Sequence, residues 1–583
     1  DGGEHISADA SGNLTIGAGV DLNLTATTDI NIPVNVGLRF GDGGENIETD
    51  NTDLTITSGN DIVFALGAAG SVYHTGDGGS NNAIYGLNAG VALVSGGNQN
   101  VFLGEGAGSG LTTGDSNVAI GYNAFDAAVD DETSNIAIGA NSMGGADQGS
   151  HANADVDQNV CIGVNSGLGG DFGSSDLNFT DNVAIGYAAM DGTGALGGFA
   201  NVFLGTDSGG GSWATAASNY NIGIGYQTLP AALNAAEGNI AIGYRAGYSI
   251  QTGDNNTIVG YAAGNTTVDV DQVVIVGQGA GAGILTSGAD GLVAIGKQAA
   301  AAVTSGGRNT AIGYEALSTA TELTHNVAIG WQTMKDSSAT TSHRNIGIGS
   351  FVMDSIGANV ANDNVAMGYN NLTNLSTGDN NTVLGSQAGV QLATGSGNVV
   401  MGHQAGDALV GGDDNTIIGT GAGIATTAGT NMVIIGKGAG TAIIESGAAG
   451  TVAVGYESCY SLTSGADNTG FGYRTLKSLV SGASNTAVGR ESGDAINTGG
   501  HNTLVGHASG SAITDGNFNT AVGKNACGEG NCSSNSAVGY EALKVVTGGN
   551  NIAIGLQTGV ALIGGADNTL LGKGAGRTLT TGD

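Results

Sequence analysis

The chain has 583 residues, of which 110 are Gly and only 2 are Pro; 40% are hydrophobic, 11% charged and 5% aromatic. This composition excludes collagen, which needs abundant Pro and Gly at every third position, and a coiled coil, which needs charged heptads. Its apolar mass argues against bulk disorder. With 14 Lys and Arg against 50 Asp and Glu, the formal charge is −36, which repels phosphate backbones and anionic membranes, so no nucleic-acid partner is expected. No apolar run approaches the ~20 residues of a spanning helix, so no membrane insertion is expected in this segment.

Positions 1–80 form a region of their own. Asp1-Gly2-Gly3-Glu4-His5-Ile6 recurs as Asp42-Gly43-Gly44-Glu45-Asn46-Ile47, and Asn13-Leu14-Thr15-Ile16 as Asp53-Leu54-Thr55-Ile56. Two related units of about 41 residues follow from this, with strand-like alternation at Leu22-Asn23-Leu24-Thr25 and Ile30-Asn31-Ile32. A β-rich, shaft-like region is expected over 1–80. The chain opens inside one such unit and closes at Thr581-Gly582-Asp583, inside a turn of the next array, which points to a fragment of something longer.

From 81 to 583 a different motif dominates: Asn, a β-branched residue, a small residue, an aliphatic residue, Gly. It reads NVAIG at Asn117–Gly121, NTAIG at Asn309–Gly313, NTIIG at Asn415–Gly419 and NTAVG at Asn519–Gly523. There are 28 copies between Gly86 and Gly572. Their mean interval is about 18 residues and the commonest is about 17, a period that signals a solenoid. The β-branched and aliphatic positions share one face of a strand, and Asn, the small residue and Gly share the other. Small residues on that second face suggest the close approach of another backbone, and a strand buried on both faces is expected, as in parallel sheets.

Asn opens 24 of the 28 copies. Stacked coils would set these amides about 4.8 Å apart in a hydrogen-bonded ladder. Alternatively, Asn merely tolerates a left-handed turn. Gly-rich turns such as Thr252-Gly253-Asp254-Asn255-Asn256 precede the motif, and segments such as Tyr314-Glu315-Ala316-Leu317 read as a second, shorter strand. The fold expected is therefore all-β: a parallel β-roll or β-solenoid of about 28 coils, each of about 17–18 residues. Each coil is too narrow for a deep core, so a homotrimeric fibre is expected, with the small residues where backbones crowd. A single-chain triangular β-helix is the competitor, but it should show three strong strands per turn.

The longest intervals, Gly139 to Gly163 and Gly163 to Gly186, place longer surface loops over 140–220. Such insertions often map to a binding face. Asp147, His151, Asp155, Asp157, Asp171, Phe172 and Phe179 lie there, and Trp213 and Tyr220 in the next loops are candidate aromatic anchors. The alternative is tolerated loops without a ligand. Ten of the 15 Tyr directly follow the motif Gly, among them Tyr122, Tyr244, Tyr314 and Tyr540; Lys297, Ser350, His403 and Arg490 share that slot, which reads as solvent-facing. It offers either a sugar-stacking stripe or scattered surface aromatics. Asp pairs at Asp130-Asp131 and Asp413-Asp414 are candidate Ca²⁺ ligands, although no calcium-binding pattern repeats in register. Cys161 reads as a buried thiol within a strand, and Cys527 and Cys532 as candidates for a local disulfide across a Gly-rich loop. His501 and His507 match no zinc spacing, and no nucleophile stands beside a placed His, so neither cofactor nor catalysis is expected.

The iterated NTAIG strand with its Gly turn, covering 81 to 583, resembles the YadA-like heads of trimeric autotransporter adhesins and the repeat arrays of bacteriophage tail fibres. The resemblance implies a parallel β-roll trimer in an extracellular, cell-surface or virion fibre. The implied role is mechanical: spacing or displaying an element that attaches to a host-surface glycan or protein receptor. A self-assembling cell-surface filament is a second reading. A glycan-degrading β-solenoid enzyme is the rival of another class, and it calls for a carboxylate cluster on one face.

Overall fold

The computed structural model describes residues 81–582 apart from Asp130, 147–154, 171–177, 214–215, 338–341, 358–359 and Glu445. The chain divides into two units, Asp1–Ser71 and Val72–Asp583. The first, and with it the two related N-terminal repeats, lies outside the described residues.

All 28 motif copies form strands, from Ala83–Tyr85 to Thr569–Leu571, and all 28 belong to one parallel sheet. Each strand pairs with the next motif in strict register, as Thr310, Ala311 and Ile312 do with Val327, Ala328 and Ile329. The pairing is unbroken across the widened coils, where Val160–Ile162 pairs with Val183–Ile185 and that strand with Val202–Leu204. The array is a parallel β-solenoid of about 27 turns. At ~4.8 Å per rung, it rises about 130 Å. Among the described residues the only helical elements are the 3-10 turns Gly194–Leu196, Ser287–Ala289 and Ser446–Ala448.

The expectation of a strand buried on both faces needs correcting. In Val118–Ile120 the central Ala119 is fully buried, whereas Val118 and Ile120 are half-buried; the same pattern recurs along the stack. Asn and the small residue point into the coil, and the aliphatic pair points out. The physical reason is that one coil has a single interior: it takes the strand-centre residue, Ala in most coils but Ile at Ile258, Ile275, Ile417 and Ile434, and leaves the other face of the strand outside. Where Phe102 and Phe203 replace that small residue, glycines compensate. A Cβ on Gly108 would lie 2.7 Å from the Phe102 ring, and one on Gly209 or Gly223 would lie 2.7 Å from that of Phe203.

The large interior residues come from the opposite wall, for example Leu317 and Leu323, both fully buried. That wall is not the second strand expected at Tyr314–Leu317. Glu315 (φ 52°) and Leu317 (φ 55°) are left-handed. The Glu315 N–H therefore donates to Lys297 of the preceding coil (3.0 Å) and the Leu317 N–H to Thr333 of the following one (3.0 Å). Alternation of this kind satisfies the backbone between coils without forming a pleated strand.

The two explanations for Asn are separated by the backbone. The left-handed residue is the one before the motif Asn, such as Ser116 (φ 61°) or Asn380 (φ 59°), and not the Asn itself. The motif Asn is buried in every coil but the last, at Asn568. In the coils around Asn381, its Oδ1 accepts both the backbone N–H and the Nδ2–H of Asn398, each at 3.0 Å. Its own Nδ2 donates to Asn364 Oδ1 (3.0 Å) and to the Gly395 carbonyl of the following turn (2.9 Å). The ladder runs in three stretches, Asn82–Asn256, Asn309–Asn415 and Asn468–Asn568. It is interrupted at Val273 and Leu292 and again at Met432 and Thr451, and each gap includes a coil with a 3-10 turn.

All four cysteines are buried free thiols. Burial pushes Cys161 up to about 12, in keeping with an inert core thiol. Cys527 and Cys532 have their thiols in mutual hydrogen-bond contact, and no disulfide joins them.

Candidate functional site

The long-loop candidates part company in the structure. Asp147, His151, Asp171 and Phe172 lie outside the described residues. Asp155 is exposed, and its carbonyl accepts the Phe179 N–H at 2.8 Å. The Asp157 carboxylate accepts the Thr133 N–H of the preceding coil. Phe179 is fully buried and belongs to a small separate pairing, Phe179–Thr180 with Gly198–Phe199. Trp213, read from sequence as a surface anchor, is only 5% exposed and packs over Gly198, so it fills the widened coil instead. Among the described aromatic candidates Tyr220 alone faces outward, at 54% exposure, with Phe199 edge-on at 4.9 Å. Its left-handed φ of 59° turns it away from the interior.

Two continuous features dominate the surface. One is the outward face of the sheet, a row of apolar residues beside a row that past Ala83 is Val, Ile, Thr or Ser, exposed to the extent of 39% at Val101, 49% at Leu103 and 43% at both Ile552 and Ile554. An exposed apolar row that continues from coil to coil marks a candidate contact surface. The other is the slot after the motif Gly, where some aromatics stack from coil to coil and others, such as Tyr122, Tyr187, Tyr369 and Tyr540, stand between non-aromatic neighbours. Tyr226 stacks on Tyr244 (5.4 Å) and Tyr244 on Tyr261 (4.8 Å); Tyr314 stacks on Trp331 (4.3 Å) and Tyr456 on Tyr473 (5.3 Å). Within a stack the rings cover one another's faces, so only a ring at the end of a run keeps a face free for another molecule.

A column of carboxylates does exist, at Glu237, Asp254, Asp271 and Asp290, but its atoms are committed to the fold. Asp254 accepts the Glu237 N–H (2.7 Å), Asp271 the Asp254 N–H (2.7 Å) and Asp290 the Asp271 N–H (2.9 Å). Asp413 does the same for Ser396 (2.8 Å). These side chains tie successive turns together. Desolvation raises the Asp254 carboxyl, with Asp271 and Glu237 adding to it. Elsewhere, burial and then the Asp207 carboxylate push Asp191 up to about 6, while Lys477, Tyr456 and Arg474 hold Glu457 down at about 2. Among the described residues no group of three or more His, Cys, Asp or Glu side chains is gathered to hold a metal, and no helix is long and apolar enough to cross a membrane.

Surface cavities open between coils at two places that bear on ligand binding. One, of about 220 Å³, sits at the turn column and is lined by Ser287, Asp290, Arg308, Thr324 and His325. The other, of about 270 Å³, lies beyond the motif Gly between Thr420 and Tyr460. No family model and no curated protein matches this chain.

Proposed function

We propose that this chain is a non-enzymatic structural segment of an extracellular or virion fibre that associates with two copies of itself and spaces or displays a surface-attachment element. The observation that carries the reading is the outward face of the 28-stranded sheet, where one row is apolar throughout, the row beside it is Val, Ile, Thr or Ser past Ala83, and the single chain leaves both half-uncovered. Such a face is stabilised by meeting its equivalents on other copies, because burial of apolar area drives association. Each face is only a three-residue strand wide, so three of them around one axis enclose it without leaving an edge. The resemblance of the repeat to trimeric adhesin heads and tail fibres points the same way. The hydrogen-bonded commitment of the carboxylate column weighs against the glycan-degrading alternative, since those oxygens are already engaged by backbone amides.

Sedimentation equilibrium tests this reading. The expected mass is about three times the 56.6 kDa of one chain. Changing six consecutive outward residues, Ile295, Ile312, Ile329, Ile348, Met367 and Leu384, to Asp is expected to shift the protein toward single chains while the circular dichroism of the folded array is kept. Wild-type protein at the mass of one chain would refute the trimer, as would a variant that stays as associated as the wild type.

A further inference from the structure

Two consecutive coils lack a side chain in the column two residues past the motif Gly. In most other coils that column carries residues such as Gln387, Gln404, Glu457 and Arg474, all left-handed, and it is Gly singly at Gly106, Gly279 and Gly574. At Gly421 (φ 62°) and Gly438 (φ 65°) it carries none. An added Cβ at Gly421 would meet nothing within 4 Å, and one at Gly438 would meet only Thr441, Glu457 and Tyr460, at 3.6 to 3.9 Å. The missing side chains leave the trough of about 270 Å³, walled by Thr420, Ile424, Lys437, Thr441, Tyr456 and Tyr460. None of the outward aliphatic residues of the strands lines it, so it does not compete with the apolar stripe.

Tyr456 ends an aromatic stack at this point. Tyr473 covers one of its faces (5.3 Å, 11° between planes), and the slot on its other side holds Lys437 instead of a ring. Its hydroxyl is bonded to Glu457, whose Oε2 is held by Arg474 and Lys477 at 2.9 Å each. The ring is thus braced before any ligand arrives, which lowers the ordering cost of binding. Tyr314 has the same bracing through Glu315 and Lys335, with Trp331 stacked behind it. A cation lies over each ring at 5.9 Å, Lys297 at Tyr314 and Arg474 at Tyr456, but beside Tyr314 the column holds Gln298. Only at Tyr456 do a braced terminal ring and a side-chain-free floor coincide among these two stacks.

We propose that this trough binds one pyranose unit of a neutral glycan, with its apolar face on the Tyr456 and Tyr460 rings and its hydroxyls toward Lys437, Thr420 and Thr441. The cavity has the size of one sugar ring, and its polar rim mixes an ammonium donor, the Glu457 carboxylate and hydroxyls that both donate and accept, as sugar hydroxyls require. The chain's charge of −36 disfavours an anionic sugar. The assignment gives the proposed fibre its ligand class and rests on that reading for its biological use.

Saturation-transfer NMR on the full chain tests it, with the methyl glycosides of glucose, galactose, mannose and N-acetylglucosamine as probes and N-acetylneuraminic acid as the anionic comparator. At least one neutral glycoside is expected to bind with a dissociation constant of about a millimolar, as befits a small open site. Gly438→Gln fills the floor with a residue the same column accepts at Gln404 (φ 55°), so its melting temperature should match the wild type while binding weakens by about tenfold or more. Tyr456→Ala should weaken binding likewise. Transfer to none of the four glycosides, equal transfer in Gly438→Gln, or equal binding of the anionic sugar would overturn the proposal. A single-chain sedimentation mass would sink the fibre reading while leaving these NMR outcomes intact, so the two failures are distinguishable.

Discussion

Asn381→Ala is expected to destabilise the array by about 4 kcal/mol and to strip amide protection from the coils on either side. The loss is large because one side chain serves three coils. Its Oδ1 accepts two hydrogen bonds from Asn398, and its Nδ2 serves Asn364 and Gly395. Removing it orphans the buried Asn398 N–H and the Gly395 carbonyl, at roughly 1–3 kcal/mol per unsatisfied group. Asn380→Ala, one residue earlier on the surface, should cost only about 1 kcal/mol for its left-handed φ of 59°. Hydrogen exchange with mass spectrometry separates the cases: in a stack where each coil contacts only its neighbours, the lost protection should centre on residues 364–415 and leave distant coils unchanged. Equal effects of the two substitutions would contradict the ladder.

The second large effect is expected at the motif Gly. Gly506 has φ 137°, a region essentially closed to other residues, and its Cβ would lie 2.6 Å from the Gly523 carbonyl oxygen of the next coil. Gly506→Ala therefore carries both backbone strain and an overlap with backbone that cannot yield without opening the sheet. About 4 kcal/mol or more is expected. Gly574 is the comparison: at φ 67°, with nothing within 4 Å of the added Cβ, the same change should cost about 1 kcal/mol. Urea or thermal unfolding of the two variants reads the difference directly, and equal losses would show that the Gly column does not hold adjacent backbones together.

Much of this architecture is written plainly in the chain. The Asn-to-Gly pentapeptide recurs at nearly constant spacing, and constant spacing forces each copy to lie over the last; strand, parallel register and rung number follow. The sense of the strand is harder to read. Period-two alternation separates Ala119 from Val118 and Ile120 but does not say which side is interior, because large residues stand on both sides: Ile258 and Ile417 are buried inside, whereas Ile120 lies on the outer face. The opposite wall is not legible at Glu315 and Leu317, because left-handed positions there accept Asn, Gln, Glu, Leu, Met and Phe alike and leave no compositional mark. Trp213 misleads for another reason. A large aromatic inside a long interval looks like a surface anchor, yet widening the coil also creates interior volume that a ring can fill.

The same geometry explains where recognition can occur. An aromatic column that stacks on itself hides its ring faces, so a binding surface needs a break in the column together with a gap in its neighbour. Tyr456, Gly421 and Gly438 supply both. Monotony builds the rod, and its local interruptions make places to bind.

The central claim is that each pentapeptide lies directly over the next. Distance measurements by double electron–electron resonance test this most directly, with spin labels at the exposed residues Arg308, Asp414 and Phe518, in chains diluted with unlabelled protein. These sites occupy equivalent positions six coils apart. The stacked array predicts about 29 Å between the first two labels and about 58 Å between the first and third, rising in proportion to the number of rungs. Separations that fail to double from six coils to twelve would contradict it.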